Sequence, residues 1–361
     1  MSSFGRHPAD QILGNFVACY KGSCTDKEVL QKAASGGLIT AVLAFALEKR
    51  LIDGAVVTRM SKRHPLRPET VIARTSEEIL SASTSKYCPV APNTVIRRLR
   101  SEKGKFAVVG LPCHIHGLRY LEALDPRLKS KICLHLGLFC NHGVSFRGTE
   151  CLLHRMRLRD QDVSELSYRG NGWPGKMSVQ LRNGTKRKLS YQWYWNTFFS
   201  TYFFTPVRCT FCFDGLNQLA DLSFGDAWQL EPRGKDSFWR SLIISRTDIG
   251  AQLLDKAESE GRVSLAEISV REVVYSQSGQ LQVKKKNLRA RRRVFERLRR
   301  MRDGSSHNLV RSLGLARPST ISPYVSIFLS RNMFTGKILR YAPIQMINAY
   351  NKCYHLVDSF L

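Results

Sequence analysis

The chain is short of acid: its 361 residues carry 29 Asp and Glu against 56 Lys and Arg, a formal net charge of +27 at pH 7. It also lacks any apolar run of the about 18 residues that a membrane-spanning helix needs. The longest candidate, Gly36 to Leu47, ends in Glu48-Lys49-Arg50 and reads as a buried helix. The N-terminal Met1-Ser-Ser-Phe-Gly-Arg-His-Pro8 has neither an apolar signal core nor a small-residue cleavage site, so the expected location is cytoplasmic. In that reducing compartment the ten cysteines are thiols or metal ligands, and disulfides are not expected. There is no internal repeat, no low-complexity tract and no C-x-x-C-x-x-C ferredoxin segment. With 43% hydrophobic residues the chain can bury one large core or two smaller ones, which excludes disorder for most of its length.

What stands out instead is four cysteines in three short segments: Gly110-Leu-Pro-Cys113, Gly137-Leu-Phe-Cys140 and Cys209-Thr-Phe-Cys212-Phe-Asp214. Two follow glycine turns at the ends of apolar runs and two form a C-x-x-C knuckle, so a fold that converges them presents four thiolates to one centre. Thiolates are soft ligands that suit zinc or iron-sulfur centres alike. Structural zinc sites usually combine two close-spaced pairs, whereas here one pair joins two distant single cysteines, and this spacing favours iron-sulfur.

The first half alternates helix-like and strand-like segments, an α/β pattern with a mainly parallel sheet and flanking helices. Thr25-Asp-Lys-Glu28 reads as a capping box opening a helix towards Arg50, with Ala34-Ser35-Gly36-Gly37-Leu-Ile-Thr40 inside it. Two adjacent glycines disfavour a helix by about 1 kcal/mol each relative to alanine. Tight packing against a sheet offsets that, and so does a turn at a helix start that offers amides to a phosphate. Further strands are expected over residues 52–58, 105–109 and 131–136. After residue 160 a smaller α+β layer begins, with a hairpin at Asn183-Gly184, the C-x-x-C, and a strand and helix over residues 241–246 and 248–260. The expected parts are residues 1–160, an N-terminal α/β part; 161–280, the α+β part carrying the C-x-x-C; and 281–361, a basic helical extension.

That extension holds the densest charge, Lys284 to Arg302, reading KKKNLRARRRVFERLRRMR. A solvated helix face explains it, and so does attraction to an acidic partner or to an anionic membrane, worth about 1 kcal/mol per basic residue at the surface. No nucleic-acid motif accompanies the charge, which argues against nucleic acid. The membrane reading adds a peripheral position at its inner face to the cytoplasmic location.

Together, Thr25 through Glu48 with its Ser-Gly-Gly, Gly110-Leu-Pro-Cys-His-Ile-His-Gly-Leu-Arg119, Gly137-Leu-Phe-Cys140, and Cys209-Thr-Phe-Cys-Phe-Asp214 followed by Leu219-Ala-Asp-Leu-Ser-Phe-Gly225 resemble the coenzyme F420 hydrogenase/dehydrogenase beta-subunit family. The resemblance runs in order over roughly residues 15 to 275 and implies an FAD-binding iron-sulfur flavoprotein, with residues 1–160 as its flavin-binding part. Such a protein passes electrons between a two-electron carrier, a deazaflavin in the named subunits, and a one-electron chain. By motif, Cys113, Cys140, Cys209 and Cys212 would hold a 4Fe-4S cluster. Ser35, Gly36, Gly37 and Thr40 would line the flavin phosphates, with Lys86 and Tyr87 near the flavin. A flavin accepts a hydride and releases electrons singly, and a neighbouring cluster is the one-electron outlet.

Some residues depart from the pattern or remain unassigned by it. His114 stands where the family commonly has glutamine, and Cys88 lies outside the shared motif and reads as a buried thiol. No catalytic side chain is singled out; His114, His116, His135 and His142 are candidate proton carriers or local hydrogen-bonding groups, and Arg169 and Asp226 are candidate pocket residues. The reading is an FAD- and 4Fe-4S-dependent oxidoreductase with a protein or small-molecule redox partner. Its rival is a non-enzymatic zinc protein that docks on polyanions through the basic segment.

Overall fold

The structure, a computed structural model, describes residues 10–230, 240–286, 288–302, 318–331 and 338–359. The N-terminal octapeptide read above therefore lies outside the described residues. Eleven strands are named here in chain order: β1 (Ala18–Cys24), β2 (Gly54–Met60), β3 (Pro68–Ala73), β4 (Phe106–Gly110), β5 (Ile132–Leu138), β6 (Val163–Ser167), β7 (Lys176–Leu181), β8 (Lys186–Ser190), β9 (Leu222–Asp226), β10 (Ser241–Ser245) and β11 (Val263–Glu267). Eight form one sheet in the order β11-β1-β10-β9-β5-β4-β2-β3, and β6-β7-β8 form a second.

The expected α/β sheet is present, and its centre is parallel: β2 pairs with β4, β4 with β5 and β5 with β9. Antiparallel strands flank that centre, with β3 on one side and β10, β1 and β11 on the other. Strands from both sides of residue 160 share this sheet, while the three-stranded sheet belongs wholly to the second segment. Its β7–β8 hairpin turns at Asn183-Gly184, where Gly184 takes φ +84° and Thr185 donates its N–H to Asn183 Oδ1 at 3.0 Å. In an open parallel sheet, ligands bind beyond the carboxyl ends of the strands. Here β4 and β5 lead into the segments that carry Cys113 and Cys140, with Gly110 and Gly137 themselves paired in the sheet and not, as expected, in turns.

The single helix expected from Thr25 to Arg50 is instead two, α1 (Lys27–Lys32) and α2 (Leu38–Glu48), separated by the Ser-Gly-Gly turn. Asp26, not Thr25, caps α1: its carboxylate accepts the amides of Glu28 and Val29 at 2.8 and 3.2 Å. The Thr25 hydroxyl donates across the sheet to the Gly261 carbonyl at 2.7 Å. The first helix ends at Lys32, where Ala33 turns to extended backbone, and Gly37 sits at the N-cap of α2 with φ +71°, a left-handed conformation that glycine adopts without steric penalty. The apolar α2 then packs Val42, Leu43, Phe45 and Ala46 into the sheet core with Ala55, Val57 and Leu136.

One buried charge network braces the sheet behind the cysteine turns. His135 on β5 lies between Asp221 and Glu122, at 3.1 and 2.6 Å, and all three are almost fully buried. Burial alone would lower the histidine pKa, but the two carboxylates raise it overall. Arg119 joins the group through Asp221 at 3.1 Å. His135 thus holds structure and stands apart from the cavity described below.

Among the described residues, no helix is long and apolar enough to cross a membrane. The basic stretch is helical from Leu288 to Arg302 and follows a π-helical turn over Gln282–Lys286.

Candidate functional site

The Ser-Gly-Gly turn is fixed by the sheet. Gly36 accepts the Cys24 amide at 2.7 Å and donates its own N–H to Ser241 Oγ at 2.9 Å, while the hydroxyls of Ser35 and Ser241 meet at 2.5 Å. A Cβ on Gly36 would lie 2.5 Å from the Gly22 carbonyl oxygen, so this glycine is required for close packing. The neighbouring residues face a cavity of about 330 Å³ whose wall includes Ser35, Gly37, Thr40, Lys86 and Tyr87. Gly36 is not on that wall. No side chain caps the N-terminus of α2, and its first-turn residues Leu38, Ile39 and Thr40 line the cavity. An uncapped helix start beside a glycine turn suits a phosphate, because free amides and the helix dipole both favour an anion.

Aromatic side chains form another wall. Tyr87, Tyr191 and Trp195 cluster with centroids 5.4 to 5.8 Å apart, and Trp228 stacks on Tyr191 at 6.2 Å and 14°. Arg169 is 2% exposed and makes a double hydrogen bond to Asp226, at 2.7 and 3.2 Å, while its guanidinium lies 4.4 Å from the Tyr191 ring centroid. The two pocket candidates from the sequence are thus one ion pair. Lys86 donates to the carbonyls of Ala82, Ser83 and Thr84 at 2.5 to 2.9 Å, closing the end of the Ser76–Ser81 helix, and burial lowers its pKa to about 7.

The cavity continues to Cys140, Asn141 and His142. His142 stacks on Tyr202 at 4.7 Å and on Trp195 at 5.6 Å, and burial pushes its pKa down to about 4, so the ring is neutral near pH 7. Among the described residues its Nε2 is buried without a hydrogen-bond partner, as is Asn141 Oδ1. Buried polar groups are nearly always paired, so two orphans on one wall mark a place for a polar ligand. His114 also lines the cavity, and burial together with the nearby Arg208 charge lowers its pKa to about 4. His116 turns away to Asp214 at 2.9 Å.

Of the four motif cysteines, Cys140 lines the cavity and Cys113, Cys209 and Cys212 do not. All ten cysteines are free, and Cys113 is exposed. Burial pushes the Cys140 thiol up to about 12, with Cys209, Cys113 and Cys212 each raising it further. Cys113 is raised by burial and by Cys212 and Cys209. The three segments are thus close enough for the charges of their cysteines to act on one another. Among the described residues no three His, Cys, Asp or Glu side chains are arranged to hold a single metal ion. A cubane cluster binds each thiolate to a different iron, so its cysteines stand farther apart than the ligands of one ion. Cys88 also lines the cavity but lies apart from the motif cysteines: it packs with Tyr168, and burial raises it to about 11.

The residue that joins these turns was not evident from the sequence. The Asn217 amide donates to the carbonyls of Gly110 and Leu138, at 2.8 and 3.2 Å, and so ties the end of β4 to the end of β5. A Cβ at Gly137 would come within 2.4 Å of this side chain. Arg246 buttresses the same loop, donating to Ser223 Oγ and to the carbonyls of Leu13, Asn15 and Leu216 at 2.6 to 2.9 Å. At Cys209, the Gly143 amide donates to the sulfur at 3.3 Å. The only local signal for Asn217 is its place after Asp214-Gly215-Leu216, which reads as an ordinary turn.

Comparison with known proteins places this architecture. Residues 19–97 match the N-terminal family model of the coenzyme F420 hydrogenase/dehydrogenase beta subunit, and residues 103–271 match the C-terminal model of the same family. The chain is 26% identical over 260 residues to coenzyme F420 hydrogenase subunit beta of Methanosarcina barkeri, covering 70% of this chain and 82% of that one. It is 27% identical over 247 residues to the coenzyme F420-dependent sulfite reductase of Methanocaldococcus jannaschii, covering 64% of this chain and 36% of that one. A chain of a xenon-derivatized F420-reducing [NiFe] hydrogenase complex from Methanosarcina barkeri superposes with a TM-score of 0.61 at 24% identity. That likeness covers 79% of this chain and 95% of the other, and at that identity it shows the fold.

Proposed function

The chain belongs to the coenzyme F420 hydrogenase/dehydrogenase beta-subunit family, and from that premise we propose that it is an FAD- and 4Fe-4S-dependent oxidoreductase. It would exchange two electrons with a deazaflavin-like carrier or another reduced donor, and single electrons with a protein partner or an organic acceptor. The observation that carries this reading is one continuous cavity running from an uncapped helix N-terminus, past an aromatic wall, to Cys140 of the four-cysteine group. FAD fits it in kind: Ser35, Gly37 and the first-turn amides of α2 suit the pyrophosphate, while Tyr87, Tyr191 and Trp195 suit a flat ring system. Gly36 serves the same site at one remove, by letting the turn lie against β1 and β10.

When bound, the flavin would supply hydride acceptance and the cluster a one-electron route. The chain's own part is to bind, orient and exclude water. Arg169, clamped on Asp226, fixes the aromatic wall. His142 offers a neutral, unpartnered Nε2, able to accept or donate one hydrogen bond according to its tautomer. Anaerobically purified protein should be brown, release FAD on denaturation and contain about four irons per chain. Stoichiometric zinc without iron or flavin would replace this reading with that of a zinc-binding protein.

The basic helix is proposed as an electrostatic contact for an anionic membrane or acidic partner. Its apolar side is already occupied, since Val294 is buried and Phe295 packs on Phe211 at 4.7 Å, so any attraction rests on charge alone. Arg291 is buried with its guanidinium on the Val283 carbonyl, whereas Arg289, Arg292 and Arg293 are exposed. Binding to anionic vesicles should fall steeply as the Debye length shrinks from about 10 Å at 0.1 M salt to about 3 Å at 1 M. It should also fall when Arg289, Arg292 and Arg293 are replaced by Gln. Equal co-sedimentation with neutral vesicles would show that the charge is only a solvated face.

A further inference from the structure

Lys284 is 1% exposed and, among the described residues, has no carboxylate partner, although it opens the most basic stretch of the chain. Burying an ammonium without an opposite charge is strongly unfavourable, so an uncompensated lysine at such a position calls for an anion nearby. The surroundings show where that anion belongs. Gln280, one turn earlier, donates to the Gly215 carbonyl at 2.6 Å, and the same oxygen accepts the Cys140 amide at 2.8 Å. Lys285 lies 5.8 Å from the centroid of Phe213, the residue after Cys212. The Gln282–Lys286 turn is thus laid along the back of the cysteine group, with Lys284 facing inward. The next helix holds it there: Arg291 binds the Val283 carbonyl, and the Leu288–Arg302 helix packs on the Val207–Phe211 turn that bears Cys209.

From this placement we infer that Lys284 is the buried counter-charge of the cysteine-bound centre, raising its affinity for an electron and helping to retain it. The inference rests on reading the four cysteines as an iron-sulfur site. Each electron added to such a centre adds one negative charge, which a fixed ammonium in a dry environment stabilises; net charge is one of the determinants of cluster potential. The matching family model ends at residue 271, so this charge comes from the chain's own extension and not from the shared motif. Lys284 does not line the cavity and is therefore a positioning and tuning residue, acting on the centre through its charge.

The test is a dithionite titration of the full-length, anaerobically purified protein, followed by electron paramagnetic resonance, with iron content measured on every sample. For Lys284→Met, the ratio of reduced to oxidised cluster at a fixed potential should drop at least tenfold, a shift of about 59 mV downward for a one-electron couple. Lys284→Arg should stay close to the parent, and Lys285→Met, which removes a more exposed charge, should move less than Lys284→Met. If Lys284→Met fails to retain iron while Lys284→Arg keeps it, the counter-charge role is likewise supported. An unchanged midpoint in an iron-loaded Lys284→Met protein would overturn the inference alone, as would equal shifts or equal iron loss in the Met and Arg variants. Absence of iron from the parent protein would remove the reading of the cysteine site itself.

Discussion

Replacing Cys209 or Cys212 by Ser is expected to give folded protein that has lost its iron. The knuckle has little else to hold it to a metal centre, yet its backbone is secured independently. The Cys212 amide donates to the Cys209 carbonyl at 3.3 Å, and Asp214 accepts the amides of Leu216 and Gln218 at 3.0 and 2.8 Å. Oxygen for sulfur removes a soft ligand without changing the shape of the turn. Loss of a ligand should exceed the about 10- to 100-fold loss of metal affinity that follows removal of a supporting outer-shell partner. Iron analysis and the visible spectrum, with circular dichroism as the check on folding, measure this directly. Cys88→Ser and Cys151→Ser, both buried in a different cluster of side chains, should retain full iron. Iron unchanged in Cys209→Ser, or lost equally in Cys88→Ser, would show that the motif cysteines are not the ligands.

Arg169→Met should produce the largest loss of stability among single changes in the cavity wall. The substitution leaves Asp226 without its ion pair, frees the Pro174 carbonyl, which accepts Arg169 Nε at 2.6 Å, and strips the cation from the face of Tyr191. Breaking a buried pair by removing one member typically costs about 3–5 kcal/mol, against a total folding stability of about 5–15 kcal/mol. A matched apolar pair avoids the stranded charge, so Arg169→Met combined with Asp226→Leu should recover much of the stability. Flavin retention should remain poor in both variants, because the aromatic wall no longer has its clamp. Urea midpoints and released flavin give the two readouts. A loss under about 1 kcal/mol in Arg169→Met, with flavin retained, would show that Arg169 is not what holds the wall.

The same distinction between local and long-range chemistry separates what could be read from the chain by itself from what could not. The hairpin at Asn183-Gly184 and the strand-turn-helix unit that bears Cys113 were legible, because each depends on residues close in sequence whose conformational preferences agree with the fold. The break at Ser35-Gly36-Gly37 was only half legible: glycines signalled a special backbone, but whether the helix continued depended on Ser241 and the Gly22 carbonyl, far along the chain. Pairings at a distance left no pattern. Arg169 meets Asp226 across the fold, Asn217 bridges the ends of β4 and β5, and β1 is inserted between β10 and β11. The basic stretch shows the limit most plainly. Composition alone gives a uniform run of positive charge, whereas the tertiary structure buries Lys284 and Arg291 and leaves Arg289, Arg292 and Arg293 in solvent. Charge is a property of a side chain, but its effect depends on the dielectric and the neighbours that folding places around it.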